Sequence, residues 1–459
     1  MNGFDGYAAP QPDAPQRGGR LFYGWVIVGA VFLILMVTSG LGFYNASVIL
    51  SAAANELDVP VGTVSGATAM FFGISGLTGF LLARRMETSD IRVFYVAGGL
   101  LGAASLYGLR FVDTVAELYV FFALFGIGFA LAGLVPGTTL VTRWFHQKRS
   151  VALSIASTGL SLGGIAITPI AANLIDDRTM AGAGPILAVV WLVGVIPIGV
   201  LLLRSRPADK GLQPDGVGEA AGDGPVSAAT PVALAGASFA EARRTRFFIM
   251  MCVAYALIFF AQVGGLAHLY NLADERTDAG TAATALSLLA LTSVIGRLIG
   301  GVVVLHVPAK SLSAGLTLFQ GISLIALASS FNELSILGSA VILGISVGNL
   351  LMLQPLLLAE AFGVAEYSRI YSFNQLFGTI GVAGGPFALG LIHDAGDYRL
   401  AFIIAGIASV AGFVCLLAAG PITQAQALWQ AEPESAPRLA TMRPPDPPPS
   451  DPTSPTGAI

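Results

Sequence analysis

The sequence contains about twelve uninterrupted apolar runs, and this series constrains the fold more than any other feature. Each run has about the 20 apolar residues that an α-helix needs to cross a bilayer. The runs are continuous and do not alternate with a period of two, which excludes a transmembrane β-barrel. We therefore predict an all-α membrane protein with twelve transmembrane helices. The runs lie near residues 22–47, 61–83, 91–111, 115–142, 149–174, 183–203, 247–271, 282–305, 311–331, 333–359, 367–392 and 399–419.

A segment rich in Gly, Pro and Ala divides the predicted helices into two groups of six. Two six-helix halves joined by a linker are typical of transporters built from repeats, in which the substrate binds between the halves near the midplane. Within the linker, Ser238 and Glu241 have the spacing of a capping box, which predicts a short surface helix. The proline-rich C-terminus has a composition that cannot bury a core. We predict a cytoplasmic N-terminal tail at 1–20, an N-terminal half at 21–203, a cytoplasmic linker at 204–245, a C-terminal half at 246–419 and a disordered cytoplasmic tail at 420–459.

The distribution of cationic residues predicts the orientation of the chain in the membrane. If there are twelve helices, 18 of the 23 Lys and Arg residues face the side of the two termini, and Arg297 lies inside a span. By the positive-inside rule that side is cytoplasmic. We therefore expect a multi-pass protein of the plasma (inner) membrane with both termini in the cytoplasm. The remaining four cations are Arg110, Arg178, Arg276 and Arg399.

Arg297 is the one charged residue in the apolar run Ala285–Leu305. An arginine at this depth costs from a few to more than about 10 kcal/mol unless it is paired. The predicted membrane interior contains no carboxylate, because the acidic residues map to loops, span ends and cytoplasmic segments. We therefore expect the partner of Arg297 to be a small organic anion, since a carboxylate accepts two parallel hydrogen bonds from a guanidinium. The alternative is an arginine bound to carbonyl groups at a helix C-terminus.

Other polar residues at membrane depth are candidates to complete a pocket around the anion. Ser293 lies one turn before Arg297 on the same helix face. His268 is a candidate for proton coupling because histidine titrates near neutral pH, although a hydrogen-bonded structural histidine explains it equally well. Polar residues of these types also join transmembrane helices to one another. The remaining candidates are Tyr44, Asn45, Asn349, Asn374 and Gln375.

The sequence offers no signal for a cofactor or for catalysis. It has no nucleotide-binding motif and no cluster of His and Cys with metal-ligand spacing. Its two cysteines, Cys252 and Cys415, lie in apolar runs, where we expect them to pack. A membrane enzyme would need an acid, a base or a metal within the bilayer. We therefore expect a protein that is not an enzyme and that binds no cofactor, metal or nucleic acid.

Several motifs resemble those of the major facilitator superfamily, and within it the monocarboxylate transporters and the bacterial oxalate:formate antiporter relatives. The resemblance covers residues 21–420, and its most specific part is "TRWFHQKRSVALSIASTGLSLGG" entering the fifth span. Other matching stretches are "FYGWVIVGAVFL", "IGRLIGG", "LQPLLLAEAFG" and "GGPFALGLIHDAGDYRLAF". The resemblance implies transport of short carboxylates, in symport with a proton or in exchange. It also implies that Arg297 holds the carboxylate.

The sequence departs from the family pattern at several positions. Ser293 stands where animal monocarboxylate transporters carry an aspartate, and Asn374 and Gln375 stand where the oxalate-type antiporter carries a lysine. Ala83 replaces the acid usual in the loop between the second and third spans, which puts a conformational latch there in doubt. The fourth-span stretch "GFALAGLVP" is wholly apolar and favours a longer or branched acid. One intramembrane cation balances one carboxylate, so a monocarboxylate is favoured.

These observations together predict a secondary active transporter of a monocarboxylate that works by alternating access, is coupled to protons and functions as a monomer. Coupling to protons is expected because a negative cytoplasm opposes anion uptake by about 2.3 kcal/mol per 100 mV. The alternatives are an efflux carrier for amphipathic drugs or metabolites, an anion exchanger, and a sensor that binds without transport.

Overall fold

The computed structural model describes residues 22–59, 61–215 and 235–430. This part of the chain is helical apart from short connections and two isolated β-bridges. Many large apolar side chains on the outside of the bundle are more than half exposed, as expected for a surface that faces lipid; examples are Leu81, Ile170, Leu201, Ile380 and Phe387. The predicted N-terminal tail and most of the predicted C-terminal tail lie outside the described residues.

Twelve membrane-crossing helices are formed, as the apolar runs predict. Eleven helices among the described residues are long and apolar enough to cross a membrane, and one of these provides two crossings. We number the crossings α1 to α12. They are α1 Tyr23–Glu56, α2 Val61–Thr88, α3 Ile91–Gly108, α4 Val115–Trp144, α5 and α6 within Arg149–Leu202, α7 Arg246–Arg276, α8 Ala279–Val303, α9 Ala309–Ala328, α10 Glu333–Phe362, α11 Tyr367–Ala395 and α12 Tyr398–Ala418.

The continuous helix Arg149–Leu202 must contain two crossings because of its length. Its 54 residues would span roughly 80 Å at 1.5 Å per residue, against about 30 Å of hydrocarbon. Its backbone leaves helical geometry at Thr179, with φ 62° and ψ 170°. Thr179 therefore separates α5 from α6. A loop is expected from the sequence at 175–182, but the helix continues on both sides of this single break.

Two π-helical segments bring α1 and α5 together. They lie at Ser39–Tyr44 in α1 and at Gly163–Ile167 in α5, and the Ser39 hydroxyl donates to the carbonyl of Leu160 at 2.7 Å. A Cβ atom on Gly163 would lie 2.2 Å from the carbonyl oxygen of Met36, so only glycine permits this approach. Because π segments shift the helical register, they turn neighbouring side chains toward new partners.

The six helices before the linker contact the six after it at the end of the bundle where the linker lies, which we call the linker end. Thr139 and Ser368 share a hydrogen bond of 3.1 Å there, and the rings of Phe80 and Phe373 lie 5.2 Å apart. Glu87 of α2 accepts a hydrogen bond of 3.1 Å from the backbone N–H of Arg369 in α11. The sequence lacks the expected acid at Ala83, but Glu87, one turn later, provides a carboxylate that joins the two groups of helices.

The described parts of the linker lie against the linker end. The predicted capping box is confirmed, since the Ser238 side chain accepts from the N–H of Glu241 and the Glu241 carboxylate accepts from the N–H of Ser238. The resulting helix is a single turn, Phe239–Ala242. Next to it, the N–H of Ala237 donates to the carbonyl of Phe362 at 2.8 Å. Residues 216–234 of the linker lie outside the described residues.

The prediction of disorder from residue 420 is wrong for its first part. Residues Ile422–Gln430 form a helix, which is possible because this stretch contains neither Gly nor Pro. Its Gln426 amide and Trp429 indole each donate a 3.0 Å hydrogen bond to a carbonyl at the end of α10, those of Glu360 and Ala361. These bonds fix the helix to the linker end of the bundle.

Candidate functional site

Arg297 is fully buried, with 0% of its surface exposed. Its Nε donates to the carbonyl oxygen of Gly348 in α10 at 2.7 Å, and its Nη1 donates to the carbonyl oxygen of Ser157 in α5. Its Nη2 has no hydrogen-bond partner among the described residues. No acidic side chain in the described ranges lies within ion-pair distance of the guanidinium.

The carbonyl partners of Arg297 do not neutralise it. Gly348 and Ser157 lie inside their helices and not at the C-terminal ends, where carbonyls lack helical partners. Each is a neutral dipole that satisfies one N–H and leaves the formal charge in place. The interpretation of Arg297 as a group that caps a helix C-terminus is therefore not supported by its contacts, and no acidic side chain among the described residues balances its charge.

Arg297 also joins the two groups of helices through its backbone. The Ser154 hydroxyl of α5 donates to the carbonyl oxygen of Arg297 at 2.6 Å. One turn along α8, a Cβ atom on Gly301 would lie 2.4 Å from Cβ of Ser154. The small side chains of both helices thus permit a close approach of α5 and α8. This approach places the Ser157 carbonyl against the guanidinium.

Two of the candidate residues, Ser293 and Tyr44, lie near Arg297. The Ser293 hydroxyl is buried and has no hydrogen-bond partner in the described part of the chain, and it lies one turn from Arg297 on α8. Tyr44 ends the π segment of α1 and is close enough to Arg297 to interact with it electrostatically. The arrangement therefore brings one cation and two hydroxyl groups together at the contact of α1, α5 and α8.

Asn45 and Asn349 occupy different surroundings. Asn45 is fully buried, and neither atom of its amide has a hydrogen-bond partner within the described residues. Asn349 donates 2.9 Å hydrogen bonds to the carbonyls of Gly296 and Ile345. Asn349 thus holds α8 against α10 directly behind Arg297, which is the interhelical role that such residues often have.

The structure separates Asn374 from Gln375 because neighbouring residues of a helix point about 100° apart. Asn374 accepts from the Gln354 amide at 2.6 Å and contacts the Cys252 sulfur at 3.3 Å, which links α7, α10 and α11. Gln375 faces a pocket between the two groups of helices. Asn374 therefore does not meet Arg297, and Gln375 lies with a separate set of side chains.

His268 is remote from Arg297. His268 lies about 22 residues from the start of α7, and Arg297 lies about six residues from the C-terminal end of α8. Because both of these helix ends are on the linker side, the two residues are roughly 24 Å apart along the helix axes. The Nε2 of His268 forms a 3.0 Å hydrogen bond with the carbonyl oxygen of Pro386. Its ring lies 5.7 Å from that of Tyr398, which stacks on His393 at 3.9 Å.

A pocket with aromatic walls lies between α1, α2, α4, α7 and α11, and sequence reasoning missed it. Its walls include four phenylalanine rings, and its cavity volume is about 100 Å³. A Phe in an apolar run gives no signal of whether it faces lipid or a pocket. The wholly apolar "GFALAGLVP", which contains Phe129, was the available hint. The four aromatic residues are Phe43, Phe72, Phe129 and Phe259.

The family follows from comparison with known proteins. The model of the Major Facilitator Superfamily matches residues 32–327 and, in an overlapping second match, residues 272–445. The chain belongs to the Major Facilitator Superfamily. Members of this superfamily are transporters, which confirms that the chain is a multi-pass membrane transporter with the major facilitator fold and not an enzyme.

Individual relatives cover most of the chain. It is 26% identical over 420 residues to an MFS-type transporter of Gibberella moniliformis, which covers 90% of this chain and 91% of that protein. It is 25% identical over 411 residues to monocarboxylate transporter 13 of Rattus norvegicus, covering 87% and 88%. Its fold resembles the crystal structure of the superfamily transporter FucP in the outward conformation, with a TM-score of 0.65 at 14% identity and coverage of 87% and 100%.

Proposed function

We propose that this superfamily member is a secondary active transporter of a small organic monoanion, a monocarboxylate, which it moves by alternating access. The observation that carries the proposal is the fully buried guanidinium of Arg297, which has no acidic partner among the described residues. The likeness to monocarboxylate transporter 13 of Rattus norvegicus, at 25% identity, agrees with this substrate class. We place the carrier in the plasma (inner) membrane with both termini in the cytoplasm, and we propose that it functions as a monomer.

The geometry favours one carboxylate held by one nitrogen of the guanidinium and a hydroxyl. Because Nε and Nη1 already donate to Gly348 and Ser157, the two-pronged contact expected from the sequence is not available. Nη2 instead offers its N–H groups to one carboxylate oxygen, and the unpaired Ser293 hydroxyl serves the other. A monoanion cancels the single charge, whereas a dicarboxylate leaves about one negative charge unpaired in a medium where that is costly.

The contacts of Arg297 also link binding to movement. The bonds from Arg297 to the Ser157 carbonyl and from Ser154 to the Arg297 carbonyl run between α5 and α8. Both must break when these helices separate at the linker end. Once the bond to Ser157 is broken, the carboxylate held by Nη2 and Ser293 also accepts from the freed Nη1, and the bound anion thereby stabilises the separated state. Such differential binding is what a ligand needs to shift a conformational equilibrium.

Proton coupling is part of the proposal because symport of an anion with a proton is electrically neutral. His268 is the candidate proton carrier, and its distance from Arg297 means that it would act through the helices and not by direct contact. If this role is correct, His268→Gln abolishes the stimulation of uptake by an external pH of about 6 relative to 7.5, while uptake without a pH gradient persists. Stimulation equal to that of the wild type would assign the proton to another group.

Efflux of amphipathic compounds is the second candidate function. The aromatic pocket favours it, because four Phe rings bind apolar groups without requiring a charge. An efflux carrier of this kind would transport neutral compounds after removal of Arg297. Anion exchange is a further mode that the same site permits, and it would show as uptake that depends on carboxylate inside the vesicle.

The test is uptake of radiolabelled C1 to C6 monocarboxylates into proteoliposomes, with and without a pH gradient. We expect Arg297→Leu to lower uptake at least about tenfold, since a charged hydrogen bond contributes about 1.5–3 kcal/mol. Arg297→Lys retains the charge and should keep part of the activity. Arg110→Leu removes an exposed arginine and is the matched control. Uptake of every acid at the wild-type rate by Arg297→Leu would refute the proposed site.

A further inference from the structure

The aromatic pocket lies directly above the closed linker end. Its lining residues Gly79 and Ser372 precede Phe80 and Phe373, whose rings lie 5.2 Å apart across the two groups of helices. The pocket is therefore bounded on the linker side by the contact of Phe80 with Phe373. Its cavity volume of about 100 Å³ is of the same order as the roughly 150 Å³ apolar cavity that holds a benzene molecule.

The walls of the pocket come from both groups of helices. Phe43, Phe72 and Phe129 belong to α1, α2 and α4, and Phe259 belongs to α7. The rings of Phe43 and Phe72 lie 5.4 Å apart at 68°, so edges as well as faces are available to a further ring. Such edge-to-face contacts are the preferred geometry of aromatic pairs.

Two polar groups of α11 in the pocket lack partners. Ser372 is 1% exposed, and its hydroxyl has no hydrogen-bond partner in the described ranges. The Oε1 of Gln375, one turn along, is likewise buried and unpaired among those residues. Both residues line the pocket. Buried polar groups are almost always hydrogen-bonded in native proteins, and a ligand that carries a polar group beside its apolar surface would satisfy these two.

The pocket and the Arg297 site share a wall. Phe43 and Tyr44 are consecutive residues of the π segment of α1. The Phe43 ring points toward Phe72 of α2, whereas the Tyr44 ring lies beside Gly164 of α5 and near Arg297. Successive side chains of a helix diverge by about 100°, so α1 presents one residue to the pocket and the next to the Arg297 site.

We propose that the aromatic pocket binds the tail of the transported acid and selects aryl-substituted monocarboxylates that carry a hydrogen-bond donor on the ring. This inference rests on the proposed function of Arg297 as the carboxylate site. The ring occupies the space between Phe43, Phe129 and Phe259, and its hydroxyl or N–H group donates to Oε1 of Gln375. Short acids such as acetate bind at Arg297 and leave the pocket without a partner.

The experiment measures counterflow in proteoliposomes with four probes: acetate, butyrate, phenylacetate and 4-hydroxyphenylacetate. We expect kcat/KM for phenylacetate to exceed that for acetate at least about tenfold, which is the scale of discrimination that apolar pockets achieve. We expect 4-hydroxyphenylacetate to be preferred further. Phe129→Ala should lower the preference for phenylacetate over acetate at least about fivefold, and Gln375→Leu should remove the preference for the hydroxylated acid.

The controls separate the pocket from general damage. Phe319→Ala removes an aromatic ring that is 57% exposed on the outside of α9 and should leave the preferences unchanged. Phe129→Leu is measured beside Phe129→Ala because it removes the ring with a smaller loss of side-chain volume. It keeps the test valid if Phe129→Ala does not fold. Preferences that stay at the wild-type ratio in Phe129→Leu, Phe129→Ala and Gln375→Leu would overturn the inference.

The outcome also distinguishes this inference from the proposed function. If acetate and butyrate are transported in a manner that depends on Arg297 but the aryl acids are not, the pocket assignment is wrong and the monocarboxylate carrier stands. If no carboxylate of either kind shows transport that depends on Arg297, the proposed function fails and the pocket inference fails with it.

Discussion

Gly348→Ala is expected to disable the site without touching the guanidinium. A Cβ atom at this position would lie 2.0 Å from the carbonyl oxygen of Ser293. An ordinary contact distance of about 3.5 Å requires α8 and α10 to separate by roughly 1.5 Å. The hydrogen bond from Arg297 to the Gly348 carbonyl, now 2.7 Å, would then lengthen to about 4 Å and be lost.

The cost combines two effects. Overpacking of a close helix contact costs about 1–3 kcal/mol, and loss of a hydrogen bond to a charged group costs about 1.5–3 kcal/mol. We therefore expect a fall of about 3 kcal/mol or more in the free energy of unfolding, and an apparent Tm in detergent that is lower by roughly 5 °C. Uptake of the transported acid should fall with it, because Arg297 loses one of its two positioning bonds.

Gly338→Ala is the matched control for this prediction. It lies in the same helix, and a Cβ atom there meets nothing within 4 Å in the described part of the protein. Alanine in an exposed helix position stabilises by about 0.5–1 kcal/mol relative to glycine, so the Tm should stay the same or rise slightly. The reasoning is refuted if Gly348→Ala has the same Tm as Gly338→Ala and transports at the wild-type rate.

Three further predictions concern the contacts between helices. Glu87→Gln weakens the acceptor for the Arg369 N–H and should raise labelling of a cysteine introduced at the linker end by a membrane-impermeant reagent; unchanged labelling would contradict the role of Glu87. Ser154→Ala removes the 2.6 Å hydrogen bond to the Arg297 carbonyl, which contributes about 0.5–1.5 kcal/mol. It should therefore change the labelling of the same cysteine by up to about tenfold. Its control is Ser346→Ala, which loses a hydrogen bond within its own helix and should leave the labelling unchanged. Trp429→Phe removes the indole bond to Ala361 and should increase proteolysis after residue 421, with little effect on uptake.

The sequence was sufficient to predict the twelve helices and the position of Arg297, because both depend on hydrophobicity along the chain. It was not sufficient to predict the partners of Arg297, since the carbonyls of Ser157 and Gly348 belong to the backbone and leave no residue signature. The small residues that allow these carbonyls to approach were visible in the stretches "SIASTG" and "ISVGNL", but small residues occur at most membrane helix contacts.

The difference between Asn374 and Gln375 shows a second limit. Both are amides in one apolar run, and both were assigned to the same pocket. Only the rotation of α11 about its axis decides that Asn374 bonds within the C-terminal helices whereas Gln375 faces the aromatic pocket. This rotation is set by packing along the whole helix. The same packing decides which phenylalanines face lipid, so the aromatic pocket could not be identified from residue types.

Under the proposed function, the positions of the two sites limit the length of the acid that can be transported. The aromatic pocket ends at Phe80 and Phe373, whose contact closes the linker end. Arg297 and Ser157 meet where α5 and α8 approach each other. A molecule that fills both sites therefore lies against the Phe80–Phe373 contact and the α5–α8 contact. Both contacts must open before the molecule can leave at the linker end. An acid with a tail longer than the pocket would wedge Phe80 from Phe373 before its carboxylate reaches Arg297, so such acids should compete with transported substrates without being carried themselves.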